Sequence, residues 1–126
     1  MAVHPKRILV VDDHPDAAEA LGRVLELMGH SALWLTDPRT AIAAAKEFHP
    51  DMALLDINMP YMDGCQLAVL FRAEADLKDV HLVAVTAYGD QNYRRMTRKA
   101  GFDAHVQKPA GPEMLQAIID QFASPD

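Results

Sequence analysis

Short apolar runs alternate five times with amphipathic stripes along this chain, and that alternation decides what it can fold into. Residues 7–12, 31–36, 51–56, 81–86 and 103–107 read as strands. After the first, Ala18, Leu21, Val24, Leu25 and Met28 recur at three- and four-residue steps, the spacing of one helix face. Pro15 suits that helix's first turn and Gly29 its stop. Asp37-Pro38 opens a second helix carrying Ile42, Ala45 and Phe48, and a third, from Gly64 to about Ala75, turns Leu67, Leu70 and Phe71 inward. A fourth, over 90–100, carries Tyr93, Met96 and Ala100. The last, from Pro112, has the cleanest stripe, Leu115, Ile118, Ile119 and Phe122. Five βα units in a row predict an α/β fold with a parallel sheet, right-handed crossovers and helices on both faces. Open sheets of this kind bind ligands beyond the carboxyl ends of their strands.

Length and charge narrow the function. A chain of 126 residues fits one domain over 1–126, with 1–6 and 123–126 read as tails. A net charge of -6 argues against a body that binds nucleic acid directly. No apolar stretch approaches a membrane span and the basic N-terminus lacks a signal-peptide core, so a cytoplasmic location without membrane insertion is expected. Cys65 is the only cysteine, which excludes a disulfide framework and a CxxC metal pair, and it reads as inert.

The strand ends carry the chemistry. The first strand ends on Asp12 and Asp13, the third on Asp56, the fourth on Thr86, and the fifth is followed by Lys108-Pro109. A parallel sheet gathers all of them at one edge. Carboxylates 4 Å apart repel by roughly 4 kcal/mol per pair at an effective dielectric near 20, so the cluster needs a cation or a raised pKa. Oxygen donors without Cys or paired His favour a hard cation such as Mg²⁺, Mn²⁺ or Ca²⁺. With a lysine and a hydroxyl donor, such a site suits a transferring phosphoryl group, and one carboxylate can serve as nucleophile.

The segments "ILVVDDHPDAAEAL", "DMALLDINMPYMDG", "LVAVTAYG" and "AGFDAHVQKP" resemble, in order and spacing, the four signatures of the receiver domain of two-component response regulators. The resemblance runs from residue 7 to about 122. It implies a flavodoxin-like (βα)5 fold with strand order 2-1-3-4-5, and a domain that accepts a phosphoryl group from a histidine kinase or a histidine phosphotransfer protein. By position, Asp56 resembles the phosphoacceptor, Asp13 a direct Mg²⁺ (or Mn²⁺) ligand and Asp12 one that acts through water. Asn58 matches the residue that offers its backbone carbonyl to the metal. Thr86 matches the hydroxyl that contacts the phosphoryl group, Lys108 the bridging lysine, and Pro109 the partner in a cis Lys-Pro bond. Ala87 matches a place where bulk would block the pocket. Output would pass to a downstream protein through the face of helix 4, strand 5 and helix 5. Beyond its own phosphorylation and dephosphorylation, such a domain is no enzyme.

This chain also departs from the pattern. His105 stands where the family usually has Tyr or Phe as a switch residue, and Ala110-Gly111 replaces a bulky apolar residue and an acid. "TAYG" and "AGFDAHVQKP" are closest in flavour to receivers of hybrid sensor histidine kinases. The basic run Tyr93-Arg94-Arg95-Met96-Thr97-Arg98-Lys99 reads either as a solvated helix face or as a docking surface. None of the six histidines has metal-ligand spacing; His14 sits at the rim of the site, and Trp34 reads as packing. Two other classes stay open, a metal-dependent phosphohydrolase and a receiver-like module that works without phosphorylation.

Overall fold

A computed structural model describes residues 5–87 and 91–122, and for 91–93 the backbone alone. The sheet comprises β1 (Arg7–Val11), β2 (Ser31–Leu35), β3 (Met52–Asp56), β4 (His81–Thr86) and β5 (Ala104–Gln107). The helices are α1 (Pro15–Leu27), α2 (Ala41–Phe48), α3 (Gly64–Ala73), α4 (Gln91–Ala100) and α5 (Pro112–Gln121). All strand pairs are parallel, in the order β2-β1-β3-β4-β5. This is the alternating α/β fold that the sequence predicts.

Side chains alternate across the sheet and divide the core into two layers. Leu9, Val11, Ala53, Leu55, Leu82 and Ala84 pack with α2, α3 and the end of α4, around Ala41, Ala45, Leu67 and Phe71. Ile8, Val10, Met52, Leu54, Val83, Val85 and Val106 point the other way, onto Leu25 of α1 and Leu115 and Ile119 of α5. The three central strands are buried on both faces, so they read as continuous apolar runs. Trp34, on the edge strand β2, packs over Gly22 of α1, where a Cβ would come within 2.0 Å of its ring.

The elements depart from the sequence reading in four places. A 3₁₀ turn, Pro38–Thr40, precedes α2, because the Asp37 side chain accepts from the Arg39 amide and tightens the entry. Lys6 is no free tail: its amide donates to His30 Nδ1 and its carbonyl accepts from the Ser31 amide, extending the β1–β2 ladder. Leu70 faces solvent; the buried positions of α3 are Gly64, Leu67, Ala68 and Phe71. On α4, Met96 is exposed and the neighbouring Thr97 is fully buried. The Tyr93 side chain and residues 1–4, 88–90 and 123–126 lie outside the described residues.

The phase of α3 is open to test by denaturant unfolding. Phe71→Ala removes a fully buried ring and should cost about 3–5 kcal/mol. Leu70→Gln should change stability by less than about 0.5 kcal/mol, because the side chain already meets water.

Candidate functional site

The acids that end β1 and β3 meet where the strand order reverses. β1 lies between β2 and β3. The connection leaving β1 runs to β2 and the one leaving β3 runs the opposite way to β4, so the two diverge and a crevice opens between the carboxyl ends of β1 and β3.

Local backbone contacts place each group. The Asp12 amide donates to the Leu35 carbonyl at 3.0 Å, which keeps the residue in line with β2. Asp12 Oδ1 accepts from the His14 amide at 3.0 Å and Asp56 Oδ1 from the Asn58 amide at 3.1 Å. These short turns aim each carboxylate's other oxygen at one point. Lys108 Nζ sits there, 3.1 Å from Asp12 Oδ2 and 3.0 Å from Asp56 Oδ2. The Lys108 amide donates to the Thr86 carbonyl at 2.7 Å, and the Lys108–Pro109 bond is cis. Beyond β3, Gly64 presses on the Asp56 backbone, where a Cβ would stand 2.5 Å from the Asp56 carbonyl oxygen. The reciprocal Asp63–Gln66 cap then starts α3 at that spot.

Asp12, Asp13, Asp56 and Lys108 come together, with Thr86 buried at the end of β4. Asn58 and Ala87 are exposed at the rim, and Pro109 flanks Lys108 on the surface. His105 faces away from the acids, and its Nε2 is hydrogen-bonded to Thr97 Oγ1 of α4. His14 lies closer in than its spacing suggests: Nδ1 is 3.3 Å from Asp12 Oδ1 and 3.4 Å from Asp13 Oδ1. Thr97 is the residue that sequence reasoning missed, since one polar side chain on a basic helix carries no signal of burial. Cys65 is half-buried, and burial pushes its thiol pKa up, as an inert side chain requires.

The charges of the site are unequally supported. Burial alone would raise the pKa of Asp12, but the His14 amide, Lys108 and the His14 ring together hold it below the usual carboxylate value. For Asp56 burial prevails: its pKa is raised, with the Asp12 charge adding to the effect, despite the Lys108 and Asn58 hydrogen bonds. Lys108 is held above its ordinary value, because the two carboxylates outweigh the cost of its own burial.

The model for the response regulator receiver domain matches residues 8–120. The chain belongs to this family. Among relatives of the receiver, the DNA-binding response regulator MtrA of Mycolicibacterium smegmatis is 37% identical over 114 residues, covering 90% of this chain and 49% of MtrA. The chain thus spans about half the length of such regulators. The solved receiver domain of sensor histidine kinase PA1611 from Pseudomonas aeruginosa, which has magnesium coordinated in its active-site cleft, superposes with a TM-score of 0.84. It is 26% identical, and the match covers 94% of this chain and 98% of that one. Vibrio cholerae chemotaxis protein CheY4 shares the fold, with a TM-score of 0.89 at 22% identity over 95% of this chain and all of that one. The chain is therefore a receiver domain of the two-component type, and a phosphoacceptor role in signalling fits it. Neither the fold nor the relatives support the phosphohydrolase alternative.

Receiver domains bind Mg²⁺ at this acidic site, and the residues present here fit the ion. Asp12, Asp13, His14 and Asp56 each offer a donor atom within 4.8 Å of the others. Asp13 Oδ1 is buried and, among the described residues, has no hydrogen-bond partner. Three carboxylates against one ammonium leave two negative charges, which one divalent cation neutralises.

Asp56 makes the stability of the fold depend on pH. A carboxyl group with a raised pKa adds stability only below its ordinary value and loses it as pH rises through the raised one. At pH 7 its ionised form therefore works against folding. In Mg²⁺-free buffer, Asp56→Asn should melt several degrees higher than the wild type, and saturating Mg²⁺ should narrow the gap. A lower melting temperature for Asp56→Asn would show that the Lys108 bridge outweighs the burial of charge.

Proposed function

We propose that Asp56 accepts a phosphoryl group from the phosphohistidine of a histidine kinase or a histidine phosphotransfer protein. The observation that carries this reading is the Lys108 ammonium, held at about 3 Å from both Asp12 and Asp56 at the carboxyl edge of the sheet. An Asp56 carboxylate oxygen attacks phosphorus as the P–N bond breaks. The electron pair goes to the donor's imidazole nitrogen, and because the ring's other nitrogen carries a proton, the donor ends as neutral histidine. Lys108 shifts from balancing a carboxylate to balancing the spread negative charge of the transferring group, and the Thr86 hydroxyl donates a hydrogen bond to a phosphoryl oxygen. Asp13, Asp56 and the Asn58 carbonyl would hold Mg²⁺ or Mn²⁺, with Asp12 one shell out, and the bound ion would neutralise charge on the phosphoryl oxygens. Ala87 leaves room for the group at the rim. An apolar hollow of about 270 Å³ beside Asp12 and Lys108, lined by Ala17, Leu21, Val24 and Pro109, gives the donor protein a surface to meet.

In this reading residues 1–126 form one cytoplasmic receiver unit whose product is a change of surface, with catalysis limited to its own phosphorylation and dephosphorylation. Drawing Thr86 and Lys108 toward the phosphoryl group shifts a two-state equilibrium at the face of α4, β5 and α5, where a downstream protein docks. Arg94, Arg95, Met96, Arg98 and Lys99 of α4 stand exposed.

Incubation with acetyl phosphate and Mg²⁺, followed by intact-mass measurement, should show one added base-labile phosphate. Asp56→Asn should abolish it. Asp13→Ala should abolish the Mg²⁺-dependent modification while leaving the far-ultraviolet circular dichroism unchanged. Modification that survives Asp56→Asn would refute the assignment.

A further inference from the structure

The residue that departs most from the receiver pattern, His105, is also the one that β5 extends toward α4. In the parallel β4–β5 ladder, Ala84 pairs with His105 and Thr86 with Gln107. Alternation puts Ala84, Thr86, His105 and Gln107 on one face of the sheet, the face covered by α2, α3 and the end of α4. His105 is therefore the diagonal neighbour of Thr86 on the same face. Its ring turns from that neighbour to α4, where Nε2 meets Thr97 Oγ1.

Thr97 is built to receive it. The side chain is fully buried, and its hydroxyl is also 3.1 Å from the Arg94 carbonyl one turn back. With that carbonyl accepting the hydroxyl proton, Nε2–H of His105 donates to the free lone pair of Oγ1, and all three polar groups are satisfied. The Thr97 carbonyl accepts from the Phe102 amide at 3.0 Å, while the Gly101 amide bonds the Arg98 carbonyl at 3.1 Å. Those two bonds close α4 in a Schellman cap, with Gly101 at φ 111°. Burial, together with Arg94 and Arg98, lowers the His105 pKa, which keeps the ring neutral and able to serve as a single donor.

We propose that the His105–Thr97 hydrogen bond is a latch between β5 and α4 that opposes the phosphorylation-driven rearrangement, in place of the aromatic switch usual at this position. The proposal rests on the reading of Asp56 as phosphoacceptor with Thr86 drawn toward the phosphoryl group. The bond forms only while the ring points at α4. Any movement of His105 into space that Thr86 vacates breaks it, so the latch favours the arrangement described here. His105 and Thr97 are positioning residues: neither touches the reacting atoms, and both act through the placement of α4. Cutting the latch lowers the cost of rearrangement and so, by linkage, should ease phosphorylation.

The test uses the 126-residue chain and two readouts. Amide hydrogen exchange is followed over Arg94–Ala100 without any phosphodonor, and the rate of modification by acetyl phosphate with Mg²⁺ is measured separately. Thr97→Val removes the hydroxyl at nearly constant volume. It should quicken exchange in α4, but not in α1, by about fivefold, the worth of one neutral hydrogen bond, and quicken modification by a similar factor. Thr97→Ser, which keeps the hydroxyl, should match the wild type in both. His105→Phe should reproduce Thr97→Val, and the double variant should add nothing to either. Equal exchange in Thr97→Val and Thr97→Ser, or effects of the two single variants that multiply in the double, would overturn the latch. If the wild type takes up no phosphate while the exchange pattern holds, the phosphoacceptor reading fails and the latch's role in phosphorylation fails with it, leaving only a hydrogen bond that steadies α4 on β5.

Discussion

A single ammonium group, Nζ of Lys108, bonds two buried carboxylates that lie 96 and 52 positions away in the chain. β4 separates β5 from β3, and β3 separates β4 from β1. For the lysine to reach both acids, all four strands must be in register and must end together. The Thr86 carbonyl fixes where the chain leaves β5, by holding the Lys108 amide. The Leu35 carbonyl does the same for Asp12 at the far side of the crevice. The sheet thus acts as a ruler, and the bridge is what that ruler measures. A slip of one residue in any central pair would turn an acid into the core and an apolar side chain into the site.

The same bridge leaves the site short of positive charge. One cation cannot satisfy three acids, and the shortfall appears unevenly, with Asp12 held ionised and Asp56 pushed toward its neutral form. A fold carries such a cost only if apolar burial offsets it. Here two continuous layers do so, one under α2, α3 and α4 and the other under α1 and α5. The electrostatic strain sits where chemistry is expected, and it is relieved by whatever brings positive charge to the acids. The group least comfortable as an anion, Asp56, is also the one whose oxygens gain most by bonding to an electrophile.

Much of this was legible in the sequence, for a specific reason. Strands buried on both faces read as unbroken apolar runs, and an acid that ends such a run has nowhere to go but the edge. Asp12 and Asp56 end such runs, Thr86 ends another and Lys108 follows the last strand, so all four are legible without knowledge of the pairing. Helix phase was harder. On α3 the apolar residues Val69 and Leu70 follow the buried pair Leu67 and Ala68, so hydrophobicity alone left two faces open. On α4 the pattern pointed to Met96, whereas the buried residue is Thr97, whose hydroxyl finds its partners only after α4 docks on β5. Polar burial leaves no trace in a hydrophobic pattern, and His105 could not be assigned a contact until its partner was known.

Those contacts also say how α4 can change place. Its carboxyl end is fastened three times: by the Schellman cap, by Arg72 donating to the Gly101 carbonyl from Nε at 3.0 Å and Nη2 at 2.6 Å, and by His105 on Thr97. The first two are bonds of backbone carbonyls, and they do not depend on which way a β5 side chain points. The third does. Turning the His105 ring releases β5 from α4 while the helix end stays capped and clasped by Arg72, which itself is tied to Asp103 at 2.9 Å. α4 can then shift against β5 without unwinding. A side-chain contact that can open beside backbone contacts that stay closed is what a surface needs if it is to change shape and keep its fold.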